Sequence, residues 1–225
     1  MSDDSEVKTM SLNKNYAVFG LGSYGMSVAK ELSKNGAEVL GVDINPDIVD
    51  DAAAFIPVCK CADVTDAEVI KQLGISNMDV VIIAMANSLE ASVMAITLCK
   101  EAGVACVVAK CSSEMHQKIM KKVGADTVVF PEQESGVRLA KNLISSGFID
   151  IIDLSTNISM VELGIRPEWV GKSLIELNLR KKYSINVVAI RNGDEVSCNI
   201  SPEMPLQNTM KLIVIADITK LSKLR

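Results

Sequence analysis

A glycine-rich turn between two apolar runs constrains this chain more than any other feature. Tyr16-Ala-Val-Phe19 reads as a buried strand, and Gly20-Leu-Gly22-Ser-Tyr-Gly25 follows it directly. The next stretch carries Met26, Val28, Ala29 and Leu32 at helical spacing, and Gly36 closes it. A second apolar run, Glu38-Val-Leu-Gly-Val42, then leads into Asp43. This order of strand, G-x-G-x-x-G, helix, strand and acid predicts a nucleotide-binding half-Rossmann unit. The first glycine permits the tight turn, the second lets backbone N–H groups approach a pyrophosphate, and the third lets helix and strand pack closely. The phosphates then meet the positive end of the helix. Asp43 fits the ribose hydroxyls, because a carboxylate accepts both donors and repels a 2′-phosphate, which disfavours NADP.

Composition narrows the class. The chain has 225 residues, 48% of them hydrophobic, enough for one substantial core or two smaller ones. Its longest apolar run, Val80 to Ala86, is far shorter than the roughly 20 residues that span a bilayer, so no transmembrane helix is expected. Met1-Ser-Asp-Asp-Ser-Glu6 is acidic and polar, without the basic and apolar regions of a signal peptide, which predicts a cytoplasmic protein. The net charge of −5, with lysines and arginines scattered, disfavours nucleic-acid binding. The six cysteines lack paired C-x-x-C spacing, with Cys59-Lys-Cys61 the only close pair; they read as small buried hydrophobes in a reducing compartment rather than zinc or disulfide ligands.

Strand and helix patterns alternate as far as residue 146, predicting a parallel sheet covered on both faces. Strands are expected near 16–20, 38–43, 56–59, 79–85, 105–109 and 127–130, and helices near 24–35, 46–54, 66–73, 88–102 and 113–123. Gly36, Gly74, Gly103 and Gly124 close helices, and a further helix covers 132–146. From about 155 the pattern changes to short strands (160–163, 186–190, 195–198, 212–215) and a small helix at 173–177. Arg191-Asn-Gly-Asp194 signals a type I′ hairpin. Gly171-Lys-Ser173 resembles the tail of a P-loop, but the motif's first glycine would fall at Arg166, so Ser173 reads as a helix cap. The expected organisation is a polar tail (1–14), a Rossmann-like α/β N-lobe with its crossover helix (15–146), and a small α+β C-lobe (155–225).

Further motifs extend the pattern: Ala62-Asp-Val-Thr-Asp66, Asp79-Val-Val-Ile-Ile83, Lys100-Glu-Ala-Gly103, Gly124-Ala-Asp126 and Phe130-Pro-Glu132, then Gly171-Lys-Ser-Leu174, Leu179-Arg-Lys-Lys-Tyr183 and Ile185-Asn-Val-Val-Ala-Ile190. With these residues the chain resembles, over nearly its whole length, the regulators of potassium uptake of the Trk/Ktr type, an RCK N-lobe (TrkA-N) followed by a TrkA-C lobe. The resemblance implies a non-catalytic cytoplasmic subunit that binds ATP, ADP or NAD(H). It also implies assembly of dimers into a ring, an octamer in the family, that gates a separate membrane-embedded potassium channel subunit.

Carried over by position, Gly20, Leu21, Gly22, Ser23, Tyr24 and Gly25 cradle the phosphates, Asp43 and Ile44 take the ribose side, and Asp63 and Val64 lie near the adenine. Asp63-Val-Thr-Asp66 equally makes a helix cap. Met85, Ala86 and Asn87 end the fourth strand, where ligands bind in open α/β sheets. Lys110 ends the fifth strand, facing phosphate or only solvent. The resemblance gives Glu132 a place near the phosphates and in a divalent-cation site at a dimer interface, while its position alone reads as a first-turn helix acid. In the C-lobe, Arg180, Ile185 and Asn186 match the cyclic di-AMP pattern of some Ktr relatives; equally, Ile185, Val187 and Ala189 alternate into a core. Ser23 departs from the family's Gly-x-Gly-Arg-[Phe/Tyr]-Gly loop, which leaves the choice among ATP, ADP, AMP and NAD open. The alternative class is a small NAD-dependent oxidoreductase. Against it stand a single histidine, His116, on a polar helix, and no Tyr-x-x-x-Lys pair.

Overall fold

Short strands that are apolar at successive positions can be buried only between two layers of helix. In the computed structural model, which describes residues 14–144, 148–155 and 157–217, six strands form one sheet, of which the inner four are of this kind and the two edge strands are more exposed. They are β1 (Asn15–Phe19), β2 (Glu38–Asp43), β3 (Val58–Cys61), β4 (Val80–Ile83), β5 (Cys106–Lys110) and β6 (Thr127–Val129), all parallel, in the order β3-β2-β1-β4-β5-β6. Val18 of β1 lies opposite both Gly41 and Ile82, so the strand order turns back between β1 and β4. Ala17, Phe19, Val81 and Ile83 point to one face and pack with Ile96, Cys99 and Met120. Val18, Val39 and Ile82 point to the other and pack with Ala29, Ala52 and Ile56.

The covering helices are α1 (Ser23–Lys34), α2 (Pro46–Ala53), α3 (Ala67–Gln72), α4 (Leu89–Glu101) and α5 (Glu114–Val123). Asn45, Asp66, Ser88 and Ser113 cap α2 to α5, each side-chain oxygen accepting a backbone N–H of the first turn. α1 starts on Gly22 with no side-chain cap. Cys99 and Cys111 are buried as expected, and burial pushes the Cys99 thiol up to about 12, but Cys61 and Cys198 are exposed, so the reading of the cysteines as buried hydrophobes does not hold for those two.

One strand is displaced from its expected place. The chain was expected to be extended at 56–59, but the N–H groups of Phe55 and Ile56 both still bond to Ala52 O at 2.9 Å. Ile56 is apolar because it is buried beneath that turn, not because it is in a strand.

Asp126 ties β5 to the start of β6. Its carboxylate accepts from Val107 N–H at 2.6 Å and pairs with Lys100 at 2.7 Å. The Lys100 ammonium, then the Val107 amide, hold its carboxyl below the usual aspartate range. A depressed folded pKa stabilises above the unfolded value, about 3.9, and that contribution is lost as pH falls through the folded value. Because the group is partly exposed, Asp126→Asn should cost only about 0.5–1 kcal/mol at pH 7. Urea unfolding should show the gap from wild type closing below pH 4, about the unfolded aspartate value.

The chain divides into two units, Met1–Glu132 and Gln133–Arg225. Helix α6 (Pro131–Ile144) begins at the end of the first; residues 145–146, expected to complete it, lie outside the described residues, as do 1–13 and 218–225. The second unit holds an antiparallel sheet of β7 (Phe148–Asp153), β8 (Ile158–Gly164), β9 (Asn186–Asn192), β10 (Glu195–Ser197) and β11 (Met210–Asp217), in the order β10-β9-β11-β8-β7. Two short helices, α7 (Leu174–Leu177) and α8 (Leu179–Tyr183), lie between β8 and β9 in the chain. Trp169, Leu177, Ile185, Leu206, Leu212 and Val214 are buried together. Ser173 caps α7 in a reciprocal box with Glu176, the helix-cap role expected of it once a P-loop was rejected.

The β9–β10 hairpin forms with a different turn from the one expected. Asn192 pairs with Glu195, so the loop is Gly193-Asp194, and of these only Gly193 has positive φ (61°). The turn is of the kind with glycine at its first central position, not type I′ on Asn-Gly. Among the described residues no helix is long and apolar enough to cross a membrane.

Candidate functional site

Where the strand order reverses, the loops after β1 and β4 diverge and leave a crevice at the carboxyl ends of the strands. A cavity of about 670 Å³ occupies it. Gly20, Gly22, Ser23, Tyr24, Asp43, Ile44, Asp63, Val64, Met85, Ala86, Asn87, Lys110 and Glu132 all line it. These residues come from the carboxyl ends of six strands and the segments that follow them, and the structure brings them together. Leu21 and Gly25 do not line it: the Leu21 side chain is buried in the core, and Gly25 lies buried under the loop.

The three motif glycines have different reasons for being glycine. Gly20 has φ +87°, and an added Cβ would sit 2.8 Å from Met85 Cγ. A Cβ on Gly25 would sit 1.9 Å from the Gly20 carbonyl oxygen. Gly22 has ordinary extended backbone (φ −63°, ψ −176°), and a Cβ there would meet nothing within 4 Å. The fold therefore makes no demand for glycine at position 22, which sits at the uncapped start of α1 facing the cavity.

Asp43 is part of the loop's scaffold as well as of the cavity wall. Its Oδ2 accepts from Leu21 N–H at 2.7 Å and its Oδ1 from Asn45 N–H at 2.9 Å. Each carboxylate oxygen keeps a further lone pair for a ligand donor. Asp63 Oδ1 accepts from both the N–H (2.9 Å) and hydroxyl (2.7 Å) of Thr65, and these bonds hold its carboxyl below the usual range. The helix cap of α3 is Asp66, not Asp63.

Lys110 and Glu132 form an ion pair at 2.5 Å inside the cavity, with the ammonium 5.5 Å from the centre of the Tyr24 ring. The Lys110 side chain is 16% exposed and Glu132's 59%, so Lys110 is the anchored partner. Hydrogen bonding to Lys110 depresses the Glu132 carboxyl. Among the described residues no three acids, histidines or cysteines gather as a metal site. A cation at Glu132 would need further ligands and would compete with Lys110.

Sequence reasoning missed Val42, Ile48, Ala62, Thr65, Ala84, Ser88 and Ala91, which also line the cavity. Ser88 carried a signal as the cap of α4; the small alanines carried none. In the second unit, Arg180, Ile185 and Asn186 border one hollow of about 490 Å³ with Asn178 and Val187. Ile185 is only 1% exposed and belongs to the core, while Asn186 is exposed. His116 is hydrogen-bonded to Ser112 at 3.0 Å and is not among the cavity's lining residues.

Residues 16–131 match the TrkA-N domain and 158–225 the TrkA-C domain. The chain is 36% identical to the Ktr system potassium uptake protein C of Bacillus subtilis (strain 168), over 94% of this chain and 96% of that one. It is 34% identical to the Ktr system potassium uptake protein A of the same organism, over 90% and 91%. Among solved structures, the GsuK RCK domain matches with a TM-score of 0.66 at 17% identity, and the GsuK channel bound to NAD with 0.66 at 16%. Both matches cover all of this chain, which spans 48% and 40% of those chains; they show a shared fold.

Proposed function

The chain belongs to the family in which a TrkA-N domain precedes a TrkA-C domain and which includes the Ktr potassium uptake proteins, and from that premise we propose that it is the nucleotide-binding regulatory subunit of a potassium uptake system. It works from the cytoplasmic face on a separate membrane-embedded channel subunit and performs no catalysis. The N-lobe cavity takes an adenine nucleotide: α1 faces the phosphates, Asp43 the ribose, and Asp63 with Val64 the base. Gly22 carries this reading, because its missing Cβ is explained by close approach of a pyrophosphate and by nothing within 4 Å among the described residues. The hollow beside Arg180 and Asn186 is the place for cyclic di-AMP, with Ile185 contributing to its floor.

Homo-oligomerisation follows from α6, whose Val137, Leu139 and Leu143 are 49%, 59% and 77% exposed. Such a helix needs a partner surface, which suits a ring of dimers. Light scattering at micromolar concentration should give a multiple of 24.2 kDa; a single-chain mass would contradict assembly. The regulatory role is tested by rubidium flux into vesicles holding the membrane subunit of the host's own potassium uptake system. Added chain should make the flux depend on adenine nucleotide, and flux indifferent to the chain would refute the role.

A further inference from the structure

The charges around the cavity are lopsided. Among its described lining residues Asp43, Asp63 and Glu132 are acids and Lys110 is the single cation. Lys110 is already paired with Glu132, so the two together present no net charge to a ligand. Ser23, in the phosphate loop, brings a neutral hydroxyl-bearing side chain. What remains for phosphate is the uncapped start of α1, equivalent to about half a positive charge. On the β4 side the cavity continues along Met85, Ala86, Asn87, Ser88 and Ala91, all neutral and mostly small.

From these features we infer that the cavity selects an adenine dinucleotide joined by a diphosphate diester, such as NAD(H), over ATP. This rests on the nucleotide-binding reading above and specifies its ligand. A diphosphate diester brings two negative charges to α1 and continues along the neutral β4 side as a second nucleoside that is neutral in NADH and adds no negative charge in NAD⁺. ATP brings about four negative charges, and its terminal phosphate has to displace Glu132 from Lys110 or lie beside that carboxylate. Like charges in a partly desolvated cleft cost affinity, and salt screens that cost.

The test is competitive titration of the full chain with NADH, ADP-ribose and ATP, at low and high salt, with and without Mg²⁺. NADH and ADP-ribose should bind at least about tenfold tighter than ATP at low salt. The gap should narrow in high salt and should not reverse with Mg²⁺. Glu132→Gln and Ser23→Arg should each raise ATP affinity relative to NADH. ATP or its Mg²⁺ complex binding tighter than NADH would overturn the selectivity while leaving the nucleotide site in place. A ratio unmoved by both variants would overturn its electrostatic origin. Failure of every ligand to bind would refute the underlying reading, and the inference with it.

Discussion

Gly25→Ala should unfold the phosphate loop. The added methyl would lie 1.9 Å from the Gly20 carbonyl oxygen and 3.1 Å from Ala84 Cβ, and the first of these is backbone that cannot rotate away. Gly20 is itself held on β2 through its N–H to Val42 O at 2.8 Å, so relief requires the start of α1 to move off the sheet. Overpacking usually costs about 1–3 kcal/mol, and a backbone overlap of this depth belongs at or above the top of that range. Thermal unfolding should therefore shift down by roughly 10 °C for a lobe of this size. Nucleotide binding should be lost in whatever fraction stays folded. A melting temperature within a degree or two of wild type would show that helix and strand are not packed as described.

Asp43→Ala should have the next largest effect, because two separate functions end in that one carboxylate. In the free protein the substitution leaves the half-buried Leu21 N–H without its acceptor, a loss of about 1–3 kcal/mol. In the complex it also removes the charged acceptor for the ribose hydroxyls, a further 1–3 kcal/mol of binding, roughly tenfold to a hundredfold. Asp43→Asn separates the two. Its carbonyl can still accept from Leu21 N–H, while its NH2 faces the exposed Asn45 N–H and cannot replace that bond, so stability should partly recover while ligand affinity stays low. Equal affinity in wild type, Asp43→Ala and Asp43→Asn would remove the ribose from this position.

How much of this was legible beforehand depended on whether the deciding interaction was local. The N-lobe strands and helices announce themselves through apolar runs punctuated by Gly36, Gly74, Gly103 and Gly124, all of which take positive φ. Ile56 misled because burial under a turn and burial in a strand leave the same apolar residue. Helix α8 went unread because it is five residues long and is bracketed by Asn178 and Ser184, left-handed positions filled without glycine. In the hairpin the place of the turn was right and its dipeptide was not, since cross-strand pairing of β9 with β10 decides which residues form the loop. The site shows the same division. Its glycines and Asp43 belong to one contiguous motif and could be read directly. The Lys110–Glu132 pair joins the end of β5 to the first turn of α6, so neither residue's partner is visible from its own neighbourhood. The second duty of Asp43, holding Leu21 N–H in the loop after β1, was hidden for the same reason.

Calorimetric titration of wild type beside Gly22→Ala measures whether the turn at Gly22 is shaped for a ligand or for the fold. The methyl enters empty space on unstrained backbone, so the variant should melt with wild type or slightly above it. Wild type should bind one adenine nucleotide per chain, and the variant should lose at least tenfold in affinity, about 1.4 kcal/mol. Equal binding by the two proteins, or no binding by wild type, would contradict the account.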